Sequence, residues 1–453
     1  MPTSNTISGW GNFPKAKSNL YNFRIENDLL LSYSDDYLIP RGLGRSYGDQ
    51  AINLNQGVLL TQNLNRLLDF DEETGILTCE AGVSLAEIIH IFSPRGWFPM
   101  IAPGTKYVTV GGAIANDIHG KGHHIDGSFV SCVTEFTVLL ADGSVVTASR
   151  SENPDLFWSS FGGLGLLGII LSASIRLRKI ETTFFSHQSV RVNSLDHLLD
   201  SIDEFDKEYN YSVAWVDSLA RGSKLGKGVL TLGNHASKTD LATDFSHNPL
   251  KVSEPPKFAV PFELPAATLN KVSVKILNTF LELLQSRSKS VAHYEEFFFP
   301  LDKVSNWNRG YGKKGFIQYQ FVVPLENGRK NIRSLLQEIV NSDQTPFLNV
   351  LKKFGKGEEK CPLSFPFEGY TFAIDFPVRK GLNLLTKKLD ELVVDYGGRI
   401  YLGKDAMLDS NTFRQMYPKY HTWLEAKRKY DPANLFSSNL SRRLKIDYCS
   451  SNS

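Results

Sequence analysis

Short apolar runs broken by glycine-rich turns fill residues 1 to 180, a texture that predicts strands more than helices. Leu67–Phe70 and Ile76–Cys79 flank Asp71–Gly75, and Phe136–Leu140 and Val145–Ala148 flank Asp142-Gly143. Both read as hairpins, the second closed by the Asp-Gly pair favoured in tight turns. Between them Ser84-Leu85-Ala86-Glu87 has the spacing of a capping box and opens the apolar run Ile88 to Phe92, predicting a short helix. Pro154–Ser160 reads as another short helix and Ile169–Leu177 as an extended strand. After Lys179 the period changes. Helical patterns over Leu269–Leu284 and Leu382–Tyr396 alternate with strands Phe316–Val323 and Tyr370–Phe376. The proline-bearing stretch Pro255 to Pro265 predicts a mobile surface loop, and its Phe258, Val260, Phe262 and Leu264 fit a lid or a piece of core equally well. A helix over Asn411–Lys429 closes at Asp431-Pro432. The pattern therefore gives an α+β protein with domains over 1–180 and 181–398 and a C-terminal segment over 399–453.

Composition narrows the function without naming it. Lys+Arg is 50 against Asp+Glu 48 in 453 residues, which lacks the basic excess of a nucleic-acid binder. Cys79, Cys132, Cys361 and Cys449 form no Cys-x-x-Cys pair, so neither a disulfide framework nor a thiolate zinc site is expected and a reducing compartment is. The polar start, MPTSNTISGWGNFPK, does not read as a signal peptide. The longest apolar stretch, Leu164 to Ile175, is shorter than the roughly 20 residues of a spanning helix. A cytoplasmic protein with access to a membrane surface fits these features.

Gly163-Leu164-Gly165-Leu166-Leu167-Gly168 satisfies G-x-G-x-x-G, but a dinucleotide fingerprint must follow a strand and open a helix. Here a predicted helix precedes the glycines and a predicted strand follows, so a Rossmann unit is not expected. Two other glycine-rich loops carry more. One is Arg41-Gly42-Leu43-Gly44-Arg45-Ser46-Tyr47-Gly48-Asp49. The other runs from Pro103-Gly104-Thr105 through Thr109-Val110-Gly111-Gly112 to His119-Gly120-Lys121-Gly122-His123-His124. Glycines let backbone N–H groups converge on an anion, and two such loops suit a large, doubly anionic cofactor. The three histidines of the second loop suggest a metal, yet its glycines disfavour the helix that His-x-x-x-His chelation needs, so no metal is expected. No Gly-x-Ser-x-Gly elbow or Walker loop occurs, which leaves hydrolase and kinase readings without support.

RGLGRSYGD, VTVGGAIANDIHGKGHH and NPDLFWSSFGGLGLLGII resemble the FAD-binding (PCMH-type) domain of the vanillyl-alcohol oxidase flavoproteins, and within them the branch that oxidises polyprenyl-phosphoryl ribose. The resemblance continues through Gly315–Pro324, Leu363-Ser364-Phe365-Pro366, Gly398–Asp405, Met416-Tyr417-Pro418 and Lys429-Tyr430-Asp431-Pro432. It implies a two-domain flavoprotein whose second domain, with an antiparallel sheet, binds substrate. It places the FAD pyrophosphate on residues Arg41 to Asp49, Gly104 and Thr109 to Gly112, and His119 to Gly122 and Tyr401 near the flavin. Ile170 would add backbone contacts to the nucleotide. Lys404, Tyr47 and His119 would be catalytic, Lys404 as the cation beside the reduced flavin and as a base if burial lowers its pKa. Gln318, Gln320, Lys352 and Trp215 would line the substrate pocket.

The implied reaction moves a hydride from the 2-hydroxyl carbon of a polyprenyl-phosphoryl pentose to flavin N5. The 2-keto product would then be reduced by a partner short-chain NAD(P)H enzyme, completing a 2-epimerisation for cell-wall arabinan. A soluble sugar, alditol or aldonolactone oxidase using oxygen, and a flavin-binding module without catalysis, are the alternatives. Two departures from the family stand out. Members that bind flavin covalently have histidine where this chain has Arg45, so dissociable FAD is expected. The family's best-known members carry a cysteine where this chain has Ala373, so escape from thiol-trapping nitroaromatic inhibitors is expected.

Overall fold

In the computed structural model, residues 2–24, 35–256, 258–265, 268, 270–284 and 289–447 are described; Leu269 and Cys449 lie outside them. The N-terminal region is built on two sheets. A four-stranded sheet takes the order Thr3–Ser8, Lys15–Asn22, Gly57–Leu60, Leu38–Arg41, and ends where the first glycine loop begins. The second sheet is centred on Ile169–Lys179, flanked by the hairpins Leu67–Asp71/Ile76–Glu80 and Val133–Leu139/Val145–Ser149, with Trp97–Pro99 pairing at one end. The second hairpin turns at Gly143, whose φ of 84° a side chain would strain. The capping box forms as read: Ser84 Oγ accepts from Glu87 N at 3.2 Å and Glu87 accepts from Ser84 N at 2.8 Å. Helix Pro154–Ser160 precedes the rejected G-x-G-x-x-G and strand Ile169–Lys179 follows it, the reverse of a dinucleotide unit.

The second region is an antiparallel eight-stranded sheet in the order Ser290–His293, Phe184–Val192, Gly228–His235, Tyr211–Val216, Asn349–Phe354, Gly369–Pro377, Phe316–Pro324, Arg399–Ile400. Strand side chains alternate between faces. Ile317, Tyr319, Phe321, Phe372, Ile374 and Phe376 point one way and are buried under helices that include Gly328–Asn341 and Leu382–Asp395. The other face looks toward the glycine loops.

One sequence reading needs correction. The helix expected over Asn411–Lys429 is two helices, Ser410–Met416 and Tyr420–Tyr430, because Pro418 has no N–H to continue the first. The apolar residues of the 255–284 stretch divide between the two alternatives. Val274 is buried, whereas Phe258, Phe262, Val272 and Ile276 are 74%, 63%, 67% and 65% exposed, so these four are not core. Phe258–Ala259 pairs with Val304–Ser305, and Arg309 donates to the Val260 and Pro261 carbonyls at 3.2 and 2.9 Å, clasping this stretch to the turn Trp307–Tyr311.

The C-terminal segment leaves the large sheet at Ile400 and returns to the first region. There Lys427 Nζ, 2% exposed as a residue, donates to Asp431 (2.6 Å), Leu166 O (2.7 Å) and Phe436 O (2.6 Å), so a buried charge is fully partnered. Among the described residues no helix is long and apolar enough to cross a membrane.

Candidate active site

Three segments converge where glycines permit it. A Cβ on Gly42 would sit 2.3 Å from Thr109 Oγ1, on Gly48 1.6 Å from the Asp405 carbonyl, and on Gly403 2.6 Å from Asn116 Oδ1. The Arg41–Asp49 loop, the 104–124 loop and the 401–405 turn therefore touch at backbone distance. Arg443 bridges Asp49 and Asp405 at 2.7 and 2.9 Å, while the Gln50 side chain meets Ser46, Asn116 and the Leu402 and Gly403 carbonyls.

Within the first loop Arg41 is held by backbone carbonyls. Its guanidinium donates to Ser8 O and Ala51 O at 2.7 and 2.9 Å, and burial lowers its pKa to about 10. The amides of Leu43, Gly44, Arg45 and Ser46 meet no acceptor among the described residues, and Gly44 has a φ of 65°, so this backbone is a free donor cluster for an anion. The second loop behaves differently. Thr109 caps helix Val110–Asn116 by accepting from Gly112 N at 3.2 Å, and the Val110 and Gly111 amides donate to Val83 O and Ala81 O at 2.8 Å each. Three of the amides expected to hold a pyrophosphate, those of Val110, Gly111 and Gly112, thus have acceptors within the protein. Gly104 faces open space, while a Cβ on Gly120 would meet the Ala102 carbonyl at 2.3 Å. Gly122 packs on Tyr211, and Lys121 donates to the Phe297 carbonyl across the domain seam, its pKa lowered by burial to about 7. Ile170 is a buried core residue at an irregularity of the ladder to Val133–Leu139.

The open face of the large sheet supplies the polar groups. Register puts Trp215, Val350, Ala373 and Gln320 in one row across four strands, with Lys352 beside Thr371 and Gln318 beside Asp375 in the rows next to it. Gln320 Nε2 donates to Thr371 Oγ1 at 3.0 Å, whose own hydroxyl donates to Phe321 O at 2.8 Å. The same nitrogen lies 3.0 Å from His119 Nε2, so that ring atom accepts and the His119 proton sits on Nδ1. Burial, with Lys352, Lys404 and His123 nearby, holds His119 well below its usual pKa and therefore neutral. His119 Nδ1 and Gln320 Oε1, both buried, have no partner. Tyr401 is stacked on Phe365 at 4.8 Å and donates to Asn116 O at 2.9 Å.

Lys404 Nζ lies 5.6 Å from the Tyr47 ring and 5.9 Å from the Tyr401 ring; burial lowers its pKa, and Asp375 pulls the other way. Asp375 was not among the sequence candidates. It is fully buried, accepts from Gln318 at 2.6 Å and from Tyr311 at 2.9 Å, and burial raises its pKa. Its signal was available: a carboxylate at an alternating position of the otherwise apolar strand Tyr370–Phe376. Tyr47 and Tyr311 share Phe316, edge-on at 5.5 Å and stacked at 3.8 Å, and burial beside Asp375 raises the pKa of Tyr47. Arg45 stacks over Trp10 at 4.0 Å. Among the described residues no group of three or more His, Cys, Asp or Glu could hold a metal.

A family model described as FAD binding domain matches residues 32–149, and one described as D-arabinono-1,4-lactone oxidase matches 269–444. An uncharacterized protein in the mprA 5′ region of Streptomyces coelicolor is 31% identical over 80% of this chain and 100% of its own. Mouse L-gulonolactone oxidase is 31% identical over 37% and 38%. Decaprenylphosphoryl-beta-D-ribose oxidase of Mycolicibacterium smegmatis is 38% identical over 90% of this chain and 89% of its own. This chain belongs to that oxidase family. It is an FAD-dependent oxidoreductase of the α+β, two-domain, PCMH-type architecture.

The residues present fit FAD. The free amides of the first loop suit a pyrophosphate, and the orphaned His119 Nδ1 and Gln320 Oε1 are buried polar atoms that a polar ring system would satisfy. Ala373 lies in the middle of the open sheet face, between Val350 and Gln320.

Proposed function

We propose that this enzyme oxidises the 2-hydroxyl of a polyprenyl-phosphoryl pentose to the 2-keto sugar, with dissociable FAD. The product then passes to a separate NAD(P)H-dependent ketoreductase, completing a 2-epimerisation. The observation that carries this reading is Lys404, 5.6 Å from the Tyr47 ring and in the field of the buried Asp375 that holds Gln318, opposite the neutral His119–Gln320 pair. FAD, when bound, supplies the acceptor for the carbinol hydride.

The protein's share is proton handling and position. An amine whose pKa is lowered by burial takes the hydroxyl proton as the hydride departs, leaving an ammonium when negative charge reaches the cofactor. Asp375 favours that ammonium and, through Gln318, fixes the neighbouring amide. Neutral His119 offers its Nδ1–H as a donor without adding charge. The exposed Phe258, Phe262, Val272 and Ile276 suit a lipid surface from which a prenyl chain is drawn, which supports peripheral membrane association.

The match of residues 269–444 to the lactone oxidase model favours one second reading, a soluble alditol or aldonolactone oxidase. Anaerobic mixing separates the two. Bleaching of bound FAD by a prenyl-phosphoryl ribose and not by free alditols is expected, and the reverse result overturns the proposal. Acid precipitation should release all the yellow colour from the protein.

A further inference from the structure

Lys352 is a half-buried lysine on the open face of the sheet, without a counter-charge. Its neighbour Lys353 points to the other side and pairs with Asp203 at 2.7 Å, and Lys121 is engaged by the Phe297 carbonyl. Among the described residues no carboxylate pairs with Lys352, and the charges that act on it are those of Lys404 and Lys121. The acid on this sheet face, Asp375, is held by Tyr311 and Gln318. Burial and the like charges of Lys404 and Lys121 lower its pKa to about 7, so an anion arriving from outside would supply the counter-charge that the position lacks.

Two further donors stand around it. Lys352 Nζ lies 5.6 Å from the Phe354 ring, and the His123 ring packs on the same ring at 4.3 Å. His123 is 2% exposed, yet neither ring nitrogen has a partner. The buried Trp215 Nε1 also has none, and its side chain shares the open face of the sheet with Lys352, one strand away. An amine that an anion would hold protonated and two neutral N–H donors, none with a hydrogen-bond partner, are the complement of a singly charged phosphodiester.

We propose that Lys352, His123 and Trp215 form the subsite for the phosphodiester of the substrate, an inference that rests on the prenyl-phosphoryl pentose reading. The chemistry requires such a group nearby. The phosphate hangs from the sugar carbon adjacent to the reacting one, so its charge enters the same chamber as the hydroxyl being oxidised. Lys352 is then a specificity residue that holds the anion, while Lys404 handles the proton.

The test compares two probes on the FAD-loaded enzyme: farnesylphosphoryl-β-D-ribofuranose and the neutral farnesyl β-D-ribofuranoside. In K352M the KM for the phosphodiester should rise about 30- to 100-fold with the limiting rate of flavin bleaching nearly unchanged, the size expected when a buried charge pair loses one partner. The preference for phosphodiester over glycoside should shrink by the same factor, and K352R should restore most of it. A loss of rate at constant KM, or an undiminished preference, overturns the inference. If the wild type is bleached by neither probe, the substrate reading fails instead. Titration with farnesyl phosphate, read by flavin absorbance, then decides the subsite alone: binding by wild type and not K352M sustains it, and equal binding overturns it.

Discussion

The two faces of the eight-stranded sheet are built by the same strands, yet they differ in how their groups are satisfied. On the helix-covered face Phe321 and Phe372 pack at 0% and 1% exposure, and the polar Tyr319 hydroxyl donates to Asp390 at 2.7 Å. On the open face Asp375 and Gln320 are just as buried and Trp215 and Lys352 are half-buried, but Gln320 Oε1, Trp215 Nε1 and Lys352 have no hydrogen-bond partner. Burial does not mark the site. Unsatisfied polarity does, because a protein that gained nothing from those groups would place apolar ones there.

The comparison breaks most sharply at the cation that covers the open face. Lys404→Ala should lower the rate of flavin reduction about 10³-fold with FAD still bound, the scale of losing a preorganised charge donor; near-normal turnover would remove the assignment. On the helix face the expected cost is stability. Phe372→Ala should lose about 3–5 kcal/mol in urea unfolding while each folded molecule keeps its rate.

Asp375→Asn should leave stability nearly unchanged and slow flavin reduction about 10²-fold. The pH profile gives the sharper reading. Losing the carboxylate lowers the Lys404 pKa further, so the ascending limb moves to lower pH; a limb that stays in place would separate the two groups.

A smaller effect lies on the helix face. Burial pushes Asp390 up to about 8, so between about pH 4 and 8 the unfolded chain loses a proton that the folded one keeps, and stability falls as pH rises through that window. Asp390→Asn should therefore raise Tm near pH 8 and lose that advantage toward pH 4. The smallest change places a thiol in the open row. Intact mass should show no adduct on the wild type after incubation with a nitroaromatic inhibitor of the family, and an adduct on Ala373→Cys; labelling of the wild type would contradict it.

Much of this was legible in the chain. Alternation found Phe316–Val323 and Tyr370–Phe376, and the glycine loops announced a cofactor, because periodicity and backbone permissiveness are local properties. Asp375 was missed because its meaning depends on Tyr311 and Lys404, far away in sequence and joined to it by folding. The paired amides of Val110 and Gly111 were invisible for the same reason: their acceptors, Val83 and Ala81, belong to a different turn of chain. Motifs report which backbone can accept a ligand, and tertiary contacts decide which backbone remains free to do so.

The route of the C-terminal segment carries a mechanical consequence. Lys404 hangs between two moorings, the edge strand Arg399–Ile400 on one body and the Lys427 knot on the other, with Gly48 wedged against Asp405 midway. The Lys404 amine is thus placed like a bolt through two plates, where shear along their seam would displace it before either plate deformed. Severing the backbone just beyond it would slacken the bolt while both plates stayed whole.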